Sequence, residues 1–169
     1  PGGFFPNKET LAGDFTFRSL DNFDEKTLLE EFFHGYQLDF YGSAMLDKNE
    51  NGEYIGGSNK EFEAKVLEQI KQVAYMGFVT SNPVIAPESQ QEFMMLAEDI
   101  YNEIMSLEIK VPELPKNLRF EYNKQLISFK HYNKKLNRQS GMNNTYDDPI
   151  IYQGPDAALE VVQEAERRF

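Results

Sequence analysis

Apolar residues recurring every three or four positions constrain this chain more than any other feature, because that spacing puts side chains on one face of a helix. Leu28, Leu29, Phe32, Phe33, Tyr36 and Phe40 form such a face and predict a helix over about residues 25–40. Phe62, Val66, Ile70, Val73 and Ala74 do the same for a second helix ending near Gly77. Leu118, Tyr122, Leu126, Phe129 and Tyr132 or Asn133 mark another over about 117–137. Pro87 and Pro155 suit helix starts, where a fixed φ and a missing N–H do no harm. They open predicted helices over about 87–105 and from 155 to near 169.

The intervening stretches carry turn chemistry. Asp47-Lys48-Asn49-Glu50-Asn51-Gly52 ends in Asn-Gly, a strong turn signal. Ser58 and Glu61 have the spacing of a capping box with Ser58 as N-cap. Asp21 or Asp24 can cap the first helix. Before it, Gly3-Phe4-Phe5, the turn-rich Pro6-Asn7-Lys8-Glu9 and the alternating Phe15-Thr16-Phe17 predict a hairpin over residues 1–20. A strand over about 11–18 would lie beside the first helix and bury Phe15 and Phe17 against it. The predicted class is mainly α, formally α+β: one domain over 1–169 with about five helices and a small N-terminal β-hairpin.

Composition excludes several functions. The 169 residues contain 28 Asp+Glu against 17 Lys+Arg, a net charge of −11. Such a chain is a poor partner for nucleic acid, whose affinity for proteins rests on clustered cations. No run of about 18 apolar residues is present, so no transmembrane helix is expected. Cysteine is absent, which removes disulfides, thiolate nucleophiles and Cys-ligated metals, and leaves compartment open. The Pro1-Gly2-Gly3 start lacks a basic and apolar leader and reads as a cut made by processing or by design.

The chemistry-bearing stretch is Thr27-Leu28-Leu29-Glu30-Glu31-Phe32-Phe33-His34-Gly35-Tyr36-Gln37. Glu30 and His34 are four apart and share a helix face, the geometry by which a helix offers two ligands to one metal. Glu31 points about 100° away, placed for a metal-bound water rather than the metal. On the second helix, Glu63 or Glu61 could complete three protein ligands and leave a fourth position for water.

The stretch resembles the zincin metallopeptidase signature H-E-x-x-H, in the local form T-L-L-H-E-x-F-H-x-Y-Q. Glu61-Phe62-Glu63-Ala64 is similar to the E-x-E-A opening of the later helix that supplies the third ligand in the gluzincin subgroup. The hairpin fits the edge strand that such domains set beside the active-site helix. The resemblance covers about residues 3–75. It implies that His34 is a zinc ligand, Glu31 the general base and Glu63 the third ligand. Glu30 stands where the family has its first His ligand. Zinc accepts carboxylates, but a Glu/His/Glu set carries one more negative charge, acidifies water less and favours harder ions. Only 29 residues precede Glu30, fewer than the sheet of such domains usually needs, so the domain is minimal or truncated at its N-terminus.

The resemblance therefore implies a metallopeptidase-like protein with an altered ligand set, weakly active or inactive, with zinc as its candidate cofactor and a peptide or protein as its ligand. The competing readings are a peptide-binding pseudoenzyme and a structural α-helical interaction protein. Tyr132 or Tyr146 could stabilise an oxyanion. Asp47-x-Asn49-x-Asn51-Gly52 starts like a calcium loop, yet its twelfth position is Ser58 instead of the required Glu, and it reads as a plain turn. The basic stretch from Lys124 to Arg138 reads as a solvated face or a partner for acidic neighbours.

Overall fold

The ring of Phe62 is fully buried among three other aromatic rings, with centroids 5.0 Å from Tyr122, 5.3 Å from Phe129 and 5.6 Å from Phe93. The computed structural model describes residues 3–7, 12–16, 25–42, 56–106, 113–140, 146 and 154–166, with backbone alone for 3–7, 12–16 and 166. Within it the chain gathers into two units, Pro1–Ile55 and Gly56–Phe169.

In the first unit the helix α1 spans Glu25–Tyr41. Its boundaries match the predicted ones, but its buried face does not. Phe33, His34, Gln37 and Leu38 are buried, while Leu29, Phe32 and Phe40 are exposed. The inner stripe thus mixes two apolar and two polar side chains, a choice that counting apolar residues alone misses. The backbone of β1 (Gly3–Asn7) runs antiparallel to that of β2 (Ala12–Thr16), with Phe4 opposite Phe15, and α1 lies along the pair.

The second unit holds α2 (Gly57–Met76), α3 (Gln90–Ser106), α4 (Lys116–Gln139) and α5 (Asp156–Glu166). Helix α2 touches each of the other three. Phe62, Val66 and Ile70 on α2 meet Phe93, Leu96 and Ile100 on α3 and Leu118, Tyr122, Leu126 and Phe129 on α4 in one apolar cluster. Leu159 and Val162 of α5 complete it. The link from α2 to α3 is tied down by amides. Gln90 donates to Asn82 O and Ile85 O and accepts from Asn82 N, and Asn133 of α4 donates to Val84 O at 2.8 Å.

The fold class is all-α, which corrects the predicted α+β domain with an N-terminal β-hairpin. Among residues with described side chains, 84% are helical and none is in a strand. The two five-residue stretches of extended backbone pair only with each other and add no layer to the described helices. Burial of Phe15 and Phe17 lies outside the described side chains, as do the caps at Asp21 or Asp24 and the turn over 47–52.

Local details differ too. The capping box at Ser58 and Glu61 is not what opens α2. The helix begins earlier, at an N-cap Gly56 with φ of 84° and no side-chain cap bond, and Ser58 is a fully buried helical residue. Glycine tolerates that left-handed φ, so the chain can turn into α2 one residue before Ser58. Gly77, with φ of 70°, closes α2 by donating to Val73 O. Ala74 is exposed rather than inward, because it sits about 120° around the helix from Phe62. By the same rotation Gln69 falls about 20° from Phe62 and is buried. On α4 the inward residue is Asn133, with Tyr132 only half-buried. A 3₁₀ turn, Pro87–Ser89, precedes α3.

Several buried polar atoms among the described residues of this unit lack hydrogen-bond partners. Neither amide atom of Gln69 is hydrogen-bonded, nor is the buried Oδ1 of Asp156. Gln69→Met keeps volume and removes the unsatisfied amide, so it should raise unfolding free energy by about 1 kcal/mol in urea titration. Loss of stability on that change would mean that the amide has a partner. Burial raises the Asp156 carboxyl above its usual 3.8, opposed by Arg119 and supported by Glu113. A carboxyl whose folded pKa is raised favours folding when protonated, and that advantage is lost as pH rises through the folded value. Asp156→Asn should therefore raise Tm at pH 7, with the difference closing as pH falls below about 4. A constant offset across that range would contradict the burial argument.

Candidate functional site

The sequence-predicted ligands on α1 share one surface of that helix. Glu30 and His34 each bring a ligand atom within 4.8 Å of the other's. Glu30 is half-buried and His34 is buried. His34 Nδ1 and Gln37 Oε1 are 2.8 Å apart. An amide oxygen only accepts, so Nδ1 carries the hydrogen and donates it. In the neutral ring Nε2 then keeps its lone pair, the form in which imidazole binds a metal. Metal-binding histidines commonly have their second nitrogen held this way, which fixes tautomer and ring orientation.

Gln37 is fully buried and was given no role from the sequence. The signal was present: His34 and Gln37 are three apart, hence neighbours on the helix surface. Glu31 is half-buried one position along, off the Glu30–His34 line.

The acids on α2 have different surroundings. Glu63 is buried, and its Oε1 accepts the Ala158 N–H at 3.0 Å. Ala158 lies in the first turn of α5, where N–H groups have no partner inside the helix. Pro155 accepts the first helical bond of α5 from Leu159 N, so it holds the N-cap position with a side chain that cannot accept. Glu63 supplies the missing acceptor from another helix, and its charge suits the positive end of the α5 dipole. Glu61 is half-buried and leaves α2 on the other side of Phe62, about 100° from it as Glu63 is in the opposite sense.

The oxyanion candidates sit in the second unit. Tyr132 is half-buried on α4. Tyr146 packs edge-on against Phe129, 5.6 Å between centroids, beside the apolar cluster. No protein-family model, curated protein or solved structure matches the chain.

Removing the Glu63 carboxylate exposes its capping role. Glu63→Ala should destabilise the protein by about 2 kcal/mol, because it leaves a buried N–H without a charged acceptor. Hydrogen exchange at Ala158 should speed up more than at amides in the middle of α3. Unchanged exchange there would show that the carboxylate does not hold α5.

Proposed function

We propose that this chain is a metallopeptidase-like protein with an altered metal-ligand set and weak or absent hydrolytic activity, carrying a degenerate zincin motif on α1. The observation that supports it is the Gln37 hold on His34, which leaves Nε2 as the lone-pair nitrogen on the helix face shared with Glu30.

The donor set fits a metal in part. His34 and Glu30 would hold it from α1. On α2, the Glu63 carboxylate that the resemblance marks as a further ligand accepts the Ala158 N–H of α5. When bound, a zinc ion would polarise a peptide carbonyl and acidify a water. Glu31 would accept the proton of that water and pass it to the leaving amine. Glu30, a carboxylate where the family has a neutral imidazole, adds negative charge to the donor set and lowers the acidity available. This is the reason that hydrolysis is expected to be poor.

A structural α-helical interaction protein is the second reading, favoured by the all-α class. Zinc titration by calorimetry on untagged protein separates the two. The unmodified chain should bind weakly, and Glu30→His should tighten binding by at least about tenfold by restoring two imidazoles on one face. His34→Ala in that background should reverse the gain. If Glu30→His gains nothing, the motif is structural. Tight stoichiometric zinc in the unmodified chain, with peptide hydrolysis lost on Glu31→Gln, would make the protein an ordinary metallopeptidase.

A further inference from the structure

The second half of α4 carries charge that the metal reading does not use. From Lys124 to Tyr146 the chain has Lys124, Lys130, Lys134, Lys135 and Arg138 and no Asp or Glu, although acids outnumber bases 28 to 17 overall. Lys124 is engaged at the start of the run, 2.9 Å from Glu92 and 3.5 Å from Glu121. Further along, His131, Lys134, Lys135, Arg138 and Gln139 line a surface groove of about 440 Å³. His131, Lys135 and Arg138 are exposed. Among the described residues Lys135 and Arg138 make no ion pair, so the expected pairing with acidic neighbours reaches Lys124 but not these two.

We propose that this groove binds an acidic polypeptide segment in extended form, with carboxylates on alternate residues. His131 and Lys135 are about 6 Å apart along the helix axis, and Lys135 and Arg138 about 4.5 Å. Alternate side chains of an extended chain are about 6.6 Å apart on one side. Two carboxylates of such a segment can therefore meet Lys135 and Arg138, with His131 offering a ring N–H to a third, and the flexible Lys and Arg stems absorb the mismatch.

The surrounding charge selects against larger polyanions. The groove is about 10 Å long, little more than the screening length of about 8 Å at physiological salt. A short segment feels the local cations. A nucleic acid strand or an anionic bilayer extends past them onto an acidic protein and is repelled there. The inference rests on α4 alone and holds whether or not α1 binds a metal.

The test is fluorescence anisotropy with a labelled Glu-Gly-Glu-Gly-Glu peptide, its Gln-Gly-Gln-Gly-Gln analogue, a single-stranded oligonucleotide and phosphatidylserine vesicles. The Glu peptide should bind, more weakly as salt rises, and the Gln analogue at least about tenfold less. The double variant Lys135→Glu/Arg138→Glu should lose about tenfold in affinity while keeping its helical circular dichroism, and Lys135→Gln/Arg138→Gln should lose less. Lys116→Glu, at the other end of α4, should leave binding within about twofold. Equal binding of the Gln analogue, indifference to the double reversal, an equal effect of Lys116→Glu, or tighter binding of oligonucleotide or vesicle would each overturn the proposal.

Discussion

Burial of the Phe62 ring between Tyr122, Phe93 and Phe129 is the contact on which the second unit depends. It joins α2 to α3 and α4 at one point, and α2, like α3, touches all the other helices in that unit. Truncating a buried aromatic of this kind typically costs about 3–5 kcal/mol, a large part of the stability of a small domain. Once Phe62 faces inward, the helical rotation decides its neighbours. Glu61 and Glu63 must leave on opposite flanks, and Gln69 must follow Phe62 into the interior.

The Glu63 flank shows how a packing decision becomes an electrostatic one. Helix α5 starts after a proline that cannot cap it, and the buried Glu63 carboxylate provides the acceptor. A buried carboxylate is costly unless it is hydrogen-bonded, and buried N–H groups at a helix start are costly for the same reason. Each resolves the other. The acid that family resemblance marks as a metal ligand thus accepts a hydrogen bond from the start of a helix.

On α1 the polar stripe of Glu30, His34 and Gln37 follows from the same arithmetic of 3.6 residues per turn. Spacings of four and three place all three within about 60° of one another. The amide orients the imidazole and, in the neutral ring, puts the lone pair on Nε2. Exposed cations on α4 make a different kind of feature, one defined by contrast with an acidic surface rather than by a fixed geometry.

Much of this was legible in the amino-acid order. Periodicity placed all five helices to within a few residues, because a buried face must recur with the helical repeat whatever it packs against. The Glu30–His34 pair was legible for that reason, being a contact within one helix. Three things were decided only in the folded chain. Gly56, not Ser58, starts α2, since a capping box is a local option that a left-handed glycine can pre-empt. Glu63 serves α5, a partnership across 95 residues that no local spacing encodes. The class is all-α because the two short strands pair only with each other: alternation states a preference for extended backbone, whereas the number of strands that assemble is set by tertiary structure.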